Sequence, residues 1–408
     1  GYLGAAAAFL LPVGRLADAT DKKMLFKVGL LGYGLLTLSI GFAGSPTIVI
    51  ALRIIQGIFG AMVMATGMAL ITEVVAKESL GRAMGLSIGA IYAGLAAGPF
   101  IGGVITSSFG WRWVYFFTAF MLLLSFILTQ KMMKSQWKPP QTQFDWLGSL
   151  VVIGIILCLI SGSSILDESH WGIVLLVVGL LSIPIFFWIE TKVNQPLLRF
   201  DRLRANKVLS NALLTQLMMY SGSFGMTFLY SLYLQEVKAL SAQQAGQVLV
   251  IGPILMAITA PLFGRLADKI TPTHITLAGM ISASTSLIMA TQVGADTSII
   301  YICITMMFQG LGFAMFSSPN MTLIMSSVAA EHYSMASALA SKTRYLGMVA
   351  SMVIITLLMS SLIGSGTIRG ALESYLSVMQ FAFITFSVLS LAGVALLVKL
   401  SIKTKQRP

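Results

Sequence analysis

Apolar residues in this chain gather in long unbroken runs and do not alternate with polar ones. Thirteen such segments stand out, at 1–17, 24–43, 47–72, 82–107, 112–130, 146–165, 173–189, 208–235, 245–264, 272–292, 298–325, 336–362 and 376–398. Most reach the roughly 20 residues that a helix needs to cross about 30 Å of hydrocarbon. They show no period of two and are too long for barrel strands, so the pattern predicts membrane-spanning helices. Segment 336–362 opens on polar residues, which sets its expected entry into the bilayer near Tyr345.

Composition agrees with the pattern. Of the 408 residues 57% are apolar and only 10% charged, where an ordinary soluble domain carries about a quarter. A soluble fold could not bury so much apolar surface and still present a polar face to water. The fold class predicted is therefore an all-α integral membrane protein. The two cysteines, Cys158 and Cys303, sit inside apolar runs, and His170, His274 and His332 lie on three separate connections. Neither set makes a disulfide framework or a metal site, and no metal or other cofactor is expected.

The net charge of +12 reads as a topology signal once its residues are placed. With the connection after the first segment in the cytoplasm, 22 of the 26 Lys and Arg fall on that side, Lys342 and Arg344 among them. Three, Arg112, Lys238 and Arg369, fall on the other, and Arg53 lies inside a span. That is the positive-inside bias of a multi-pass protein with a cytoplasmic C-terminus, and it leaves no role for nucleic acid. On this scheme 131–138 and 192–207 face the cytoplasm, while 166–171 and 294–297 face outside. The two basic connections flank a helix pair at 146–189. The predicted organisation is an N-terminal bundle at 1–130, two inserted helices at 146–189 and a C-terminal six-helix bundle at 208–398. One further helix ahead of residue 1 is expected, completing the first bundle and supplying an acid near mid-membrane.

A five-residue repeat supports two related halves. GRLADATDKK at Gly14–Lys23 and GRLADKITPT at Gly264–Thr273 share Gly-Arg-Leu-Ala-Asp, and both follow a segment running outside to inside. Matching elements on the same side mark parallel repeats about an axis along the membrane normal. Gly14 and Gly264 let two helices approach closely. Asp18 and Asp268 end their own helices, where the dipole is the wrong sign for a carboxylate. Each is expected to face another helix's N-terminus or an Arg.

Arg53 lies about 9 Å into its segment at 1.5 Å per residue, a depth at which an Arg is a functional candidate. Its guanidinium stays charged, so it tunes a nearby carboxylate and does not itself carry a proton. No acid lies at comparable depth in the sequence. Gln56 and Gly57 follow within a turn. Gly81, Gly85 and Gly89 recur every fourth residue, and Gly94, Gly98, Pro99, Gly102 and Gly103 continue a small-residue helix expected to be bent and closely packed. Candidate substrate contacts are Met62, Met64 and Met68, then Gln216, Tyr220, Phe224 and Phe228, then Phe308, Gln309, Phe316 and Asn320. GSGTIRG at 364–370 lacks the strand and Lys of a phosphate loop.

These motifs resemble the major facilitator superfamily, and within it the fourteen-helix drug:proton antiporters. Gly14, Asp18 and Lys23 match that superfamily's loop between helices 2 and 3, with Asp21 where a second glycine is usual. Arg53, Gln56 and Gly57 match the helix-4 motif, and Gly94 to Gly103 the helix-5 motif of antiporters. Trp111-Arg-Trp, Phe144-Asp145-Trp-Leu-Gly148 and Tyr233-Leu-Gln with Ser241 and Gly246 are similar to the fourteen-helix group. The resemblance implies two pseudo-symmetric six-helix bundles plus two inserted helices. It also implies export of small amphiphilic or cationic compounds across the plasma membrane in exchange for protons. Arg53, Gln56, Asp18, Gly14, Lys23, Asp268, Gly98 and Pro99 would serve coupling and gating. The expected partners are a small-molecule substrate, protons and the lipid bilayer, for a monomer that accessory efflux proteins could join. Export of one endogenous metabolite, and a non-transporting receptor or assembly role, are the alternatives; no nucleophile and base come together for an enzyme.

Overall fold

The computed structural model describes residues 2–132, 145–164, 170–192, 206–363 and 370–405. Each of the thirteen apolar segments is helical over most of its described residues. They form α1 (Tyr2–Ala19), α2 (Lys22–Gly41), α3 (Pro46–Val74), α4 (Leu80–Phe109), α5 (Trp111–Met132), α6 (Trp146–Ser164) and α7 (His170–Lys192). Then come α8 (Lys207–Leu232), the successive pieces α9 (Ala242–Leu249) and α10 (Ile251–Ala267), α11 (Pro272–Ala290), α12 (Ile299–Ser326), α13 (Tyr333–Leu362) and α14 (Leu372–Lys405). Among the described residues, nine helical spans are long and apolar enough to cross a membrane, with shorter apolar helices at Trp146–Leu159 and Trp171–Phe186. The expected connections at 133–138, 193–205 and 166–169, and most of GSGTIRG, lie outside the described residues.

Local chemistry sets several boundaries. Asp21, in the place of a loop glycine, is the N-cap of α2 and accepts from the N–H groups of Lys23 (2.9 Å) and Met24 (3.2 Å). Ser241 and Gln244 form a reciprocal capping box on α9, and Pro272 occupies the first turn of α11. α8 does not stop cleanly: it widens into a π-helical turn at Tyr233–Val237. There the Tyr233 hydroxyl donates to the Gly294 carbonyl at 2.7 Å.

The chain forms two compact units that are not contiguous in sequence. The first holds 1–74, 101–206 and 328–342, and in it α3 packs on α1 and α2, α2 on α5, and α6 on α7. Gly57 makes the α1–α3 contact possible, since a Cβ there would lie 2.6 Å from the Tyr2 carbonyl oxygen. The second unit holds 75–100, 207–327 and 343–408, with α12 packed on α10 and α11 and α14 on α8. Its apolar core includes Met226, Tyr230, Met306, Phe383 and Phe386. Outward, large apolar side chains such as Leu150, Leu181, Phe120 and Val388 stay mostly exposed, a surface that suits lipid and not water.

Helix α13 departs from the sequence expectation. It runs unbroken from Tyr333, so Lys342 and Arg344 lie nine and eleven residues inside it, not in a connection. The polar opening residues are the reason: they are buried against protein, with Ser334 and Ser337 inaccessible to solvent.

Candidate functional site

The two copies of Gly-Arg-Leu-Ala-Asp build the same device, one in each unit. In the first unit, a Cβ added to Gly14 of α1 would collide with the Ala338 side chain of α13. That close approach brings Asp18 onto the first turn of α13. Its carboxylate accepts from the Ser334 N–H (3.0 Å) and the Met335 N–H (2.8 Å). These belong to the orphan donors of a helix N-terminus, where the dipole favours an anion. Asp18 is 4% exposed. Just beyond the apolar segment 1–17, burial pushes its pKa up to about 6, against the opposing pull of Lys22 and of the Met335 and Ser334 donors.

In the second unit Asp268, following α10, accepts from the N–H groups of Gly81 (2.6 Å) and Arg82 (2.8 Å) in the first turn of α4. Gly264 sits on Gly85, and a Cβ there would lie 2.6 Å from the Gly85 Cα. A helix-ending aspartate thus caps the N-terminus of a neighbouring helix in both units.

The lysine at the first cap is Lys22, one residue before the one that the motif match selects. Lys22 is 2% exposed, 3.8 Å from both Asp18 and Glu73, and it donates to the Ala330 carbonyl at 3.1 Å. Lys23 contributes its backbone N–H to Asp21 and is half-buried. The rotation follows from Asp21, which starts α2 and turns Lys22 inward.

Arg53 lies in α3 and holds a small polar network within the first unit. It donates to the Tyr115 hydroxyl at 2.9 Å and to Gln56 Oε1 at 3.4 Å, and stands 5.3 Å from the Tyr115 ring centroid. Gln56, buried, donates onward to the Thr37 hydroxyl at 2.7 Å. An open cleft of about 280 Å³ is lined by Arg53, Gln56, Thr37, Tyr33, Tyr115 and Trp111 among others. The salt bridges among the described residues involve Lys22 and not Arg53.

The glycines of α4 divide into two sets. Gly81, Gly85 and Gly89 meet Gly264, Ala260 and Pro261 at close range. Around Gly94, Gly98, Gly102 and Gly103, no described atom comes within 4 Å of an added Cβ. Among the described residues, the expected close packing is seen along the first half of the helix. Pro99 lies within α4 as well.

The substrate candidates scatter. Asn320 donates to Gln216 Oε1 and to the Ala212 carbonyl, both at 3.2 Å, so these two buried amides are joined by one hydrogen bond. Gln309 is buried, and neither end of its amide has a partner among the described residues. Tyr220 stacks edge-on against Phe313 at 5.3 Å, while Phe224, Phe228 and Phe308 are exposed and Phe316 is wholly buried. Met62, Met64 and Met68 are half-buried on α3. A Cβ on Gly29 of α2 would lie 2.9 Å from the Met62 Cβ, which places Met62 against α2.

The profile of the Major Facilitator Superfamily matches residues 1–143, 144–352 and 212–408, which together take in the whole chain. The chain belongs to the major facilitator superfamily. It is 26% identical to a tetracenomycin C resistance and export protein of Streptomyces glaucescens, over 89% of this chain and 68% of that one. It is 26% identical to a puromycin resistance protein of Streptomyces alboniger, over 85% and 70%, and 24% identical to a riboflavin transporter of Clostridioides difficile, over 80% and 71%. The crystal structure of the human organic anion transporter MFSD10 shares the fold, with a TM-score of 0.69 at 13% identity over 97% of this chain and 82% of that one. As a major facilitator, the chain is a multi-pass membrane transporter and not an enzyme.

Several residues of this transporter's site carry no signal in the sequence. Tyr115 and Thr37, which bind the Arg53 network, are one aromatic and one hydroxyl among many. Glu73 meets Lys22 only because α3 passes beside the start of α2. Arg344 reads as a connection residue until α13 is seen to be continuous.

Proposed function

We propose that this transporter exports small amphiphilic compounds from the cytoplasm across the plasma membrane in exchange for protons. The observation that carries the proposal is the paired cap, in which buried Asp18 and half-buried Asp268 each hold the first turn of a neighbouring helix. A carboxylate on a helix N-terminus is a strong contact made only while the two helices meet, and it is lost outright when they part. Two such contacts suit a protein that alternates between discrete states as its bundles rock. Arg53 supplies the charge against which a proton-carrying group is tuned, as its Tyr115 and Gln56 partners hold the guanidinium without neutralising it. The relatives named for antibiotic resistance and export support the outward direction.

Efflux in cells tests the reading. Drug-sensitive cells expressing the complete reading frame should retain less ethidium than cells carrying the empty vector, and a protonophore should abolish the difference. Ethidium, puromycin and an aromatic acid all retained equally in both strains, with the protein shown at the cell surface, would overturn it.

A further inference from the structure

Arg344 is a second arginine deep in a helix, and the transport cycle described so far makes no use of it. It lies eleven residues into a 30-residue helix, about 16 Å along the axis. A guanidinium inside an apolar helix is costly and is retained where it has a task. The groups of the second unit that act on it are phenols. Tyr220 and Tyr92 lie close enough to act on its charge, and its guanidinium stands 5.8 Å from the Tyr345 ring centroid. The Tyr92 hydroxyl is 2.9 Å from that of Ser317. The elements that meet there are α4 before residue 101, α8, α12 and α13, and the sequence puts no Asp or Glu in any of them. No acid on these four elements answers the charge.

The neighbourhood also has an aromatic wall and an unused amide. The Tyr220 ring meets Phe313 edge-on. Gln309 lies one turn before Phe313 and Ser317 one turn after it, so the three share a face of α12. The Gln309 amide, buried, lacks a hydrogen-bond partner at both its nitrogen and its oxygen among the described residues. A fixed cation, two phenol hydroxyls, a ring and a free amide match an aromatic molecule with one acidic group. An anion accepts from the guanidinium and the hydroxyls together, and guanidinium pairs with carboxylate through two parallel N–H···O bonds.

We propose that Arg344, together with the Tyr92 and Tyr220 hydroxyls, binds the acidic group of an aromatic substrate, a carboxylate or an acidic phenol, with its rings against Phe313. This deepens the transport reading and rests on it.

The test uses anthracene-9-carboxylate and its methyl ester, which differ in charge but share their ring system. Binding to the purified full-length protein in nanodiscs is read by fluorescence anisotropy. The acid should bind at least tenfold more tightly than the ester. Arg344→Gln should bring the two within about twofold, Arg344→Lys should keep part of the preference, and Tyr92→Phe should narrow it. Equal binding of acid and ester to the native protein overturns the proposal. So does a full acid preference that survives in both Arg344→Gln and Tyr92→Phe. Arg344-dependent acid binding without flux in proteoliposomes would remove the transport reading and leave this site standing. Gradient-driven flux of the ester and of a lipophilic cation, with no preference for the acid, would do the reverse.

Discussion

Replacing Asp18 with Asn isolates the contribution of one carboxylate to one helix end. The native side chain accepts two N–H donors, at 3.0 and 2.8 Å, and lies 3.8 Å from the buried Lys22 ammonium. Asn keeps a single acceptor and turns an NH2 group toward a backbone donor. One hydrogen bond to a charged group is lost, worth about 1.5–3 kcal/mol. The interaction of charge with the helix dipole goes too, about 0.3–1 kcal/mol at ordinary sites. Lys22 keeps Glu73 and the Ala330 carbonyl, so its loss is partial. Both terms are the one charge acting on the same N–H groups and overlap, so the cost is about 2–3 kcal/mol, or roughly 30–150-fold in the opening equilibrium of the first turn of α13. Hydrogen exchange of the Ser334 and Met335 amides in nanodiscs reads that equilibrium directly. Both should exchange 30–150-fold faster in Asp18→Asn, with amides in the middle of α12 unchanged. Exchange within about threefold of the native rate would refute the reasoning and leave Asp18 a buried but idle acid.

Four further outcomes follow from the same geometry. Asp268→Asn should speed exchange at Gly81 and Arg82 by a smaller factor, because among the described residues no buried lysine stands beside Asp268 as Lys22 does beside Asp18. Gly264→Ala places a methyl against the Gly85 backbone and should cost about 1–3 kcal/mol, read as a lower thermal midpoint, whereas Gly98→Ala should leave the midpoint unchanged. Asp18 has a pKa raised to about 6, so the folded state binds its proton first and the stability this contributes fades as pH rises through about 6; Asp18→Asn should lack that part of the pH slope. Cysteines placed at 294–297, with Cys158 and Cys303 replaced, should react with an impermeant reagent outside intact cells, and cysteines at 131–138 should not.

The helices were legible in the sequence because spanning length is a local property. Every apolar run long enough to cross a membrane became a helix, with bounds shifted by a few residues where caps such as Asp21 and Ser298 act. The repeat of Gly-Arg-Leu-Ala-Asp pointed at Asp18 and Asp268 because a carboxylate at its own helix's C-terminus needs a partner elsewhere. Which partner was not legible, since Ser334 lies 316 residues from Asp18 and Gly81 lies 187 from Asp268. Lys22 and Lys23 could not be told apart by motif, because the choice depends on the angle at which α2 starts. That Arg344 lies inside a continuous helix was not legible for a different reason. The serines that open α13 look like a connection by hydropathy, but they are polar because protein and not lipid covers them. The glycines of α4 share one spacing and two environments, and only the facing helix separates them.

Proton movement linked to substrate movement is the measurement that meets the central claim most directly. Full-length protein is reconstituted into proteoliposomes holding a pH-sensitive dye, and an aromatic substrate is added on one side with no initial gradient. The account predicts that protons move opposite to substrate in a fixed ratio. It also predicts that Arg53→Ala abolishes the proton movement while Arg112→Ala, at the far end of α5 from the bilayer centre, retains it. Substrate flux with no accompanying proton movement, or coupling that survives Arg53→Ala intact, would contradict it.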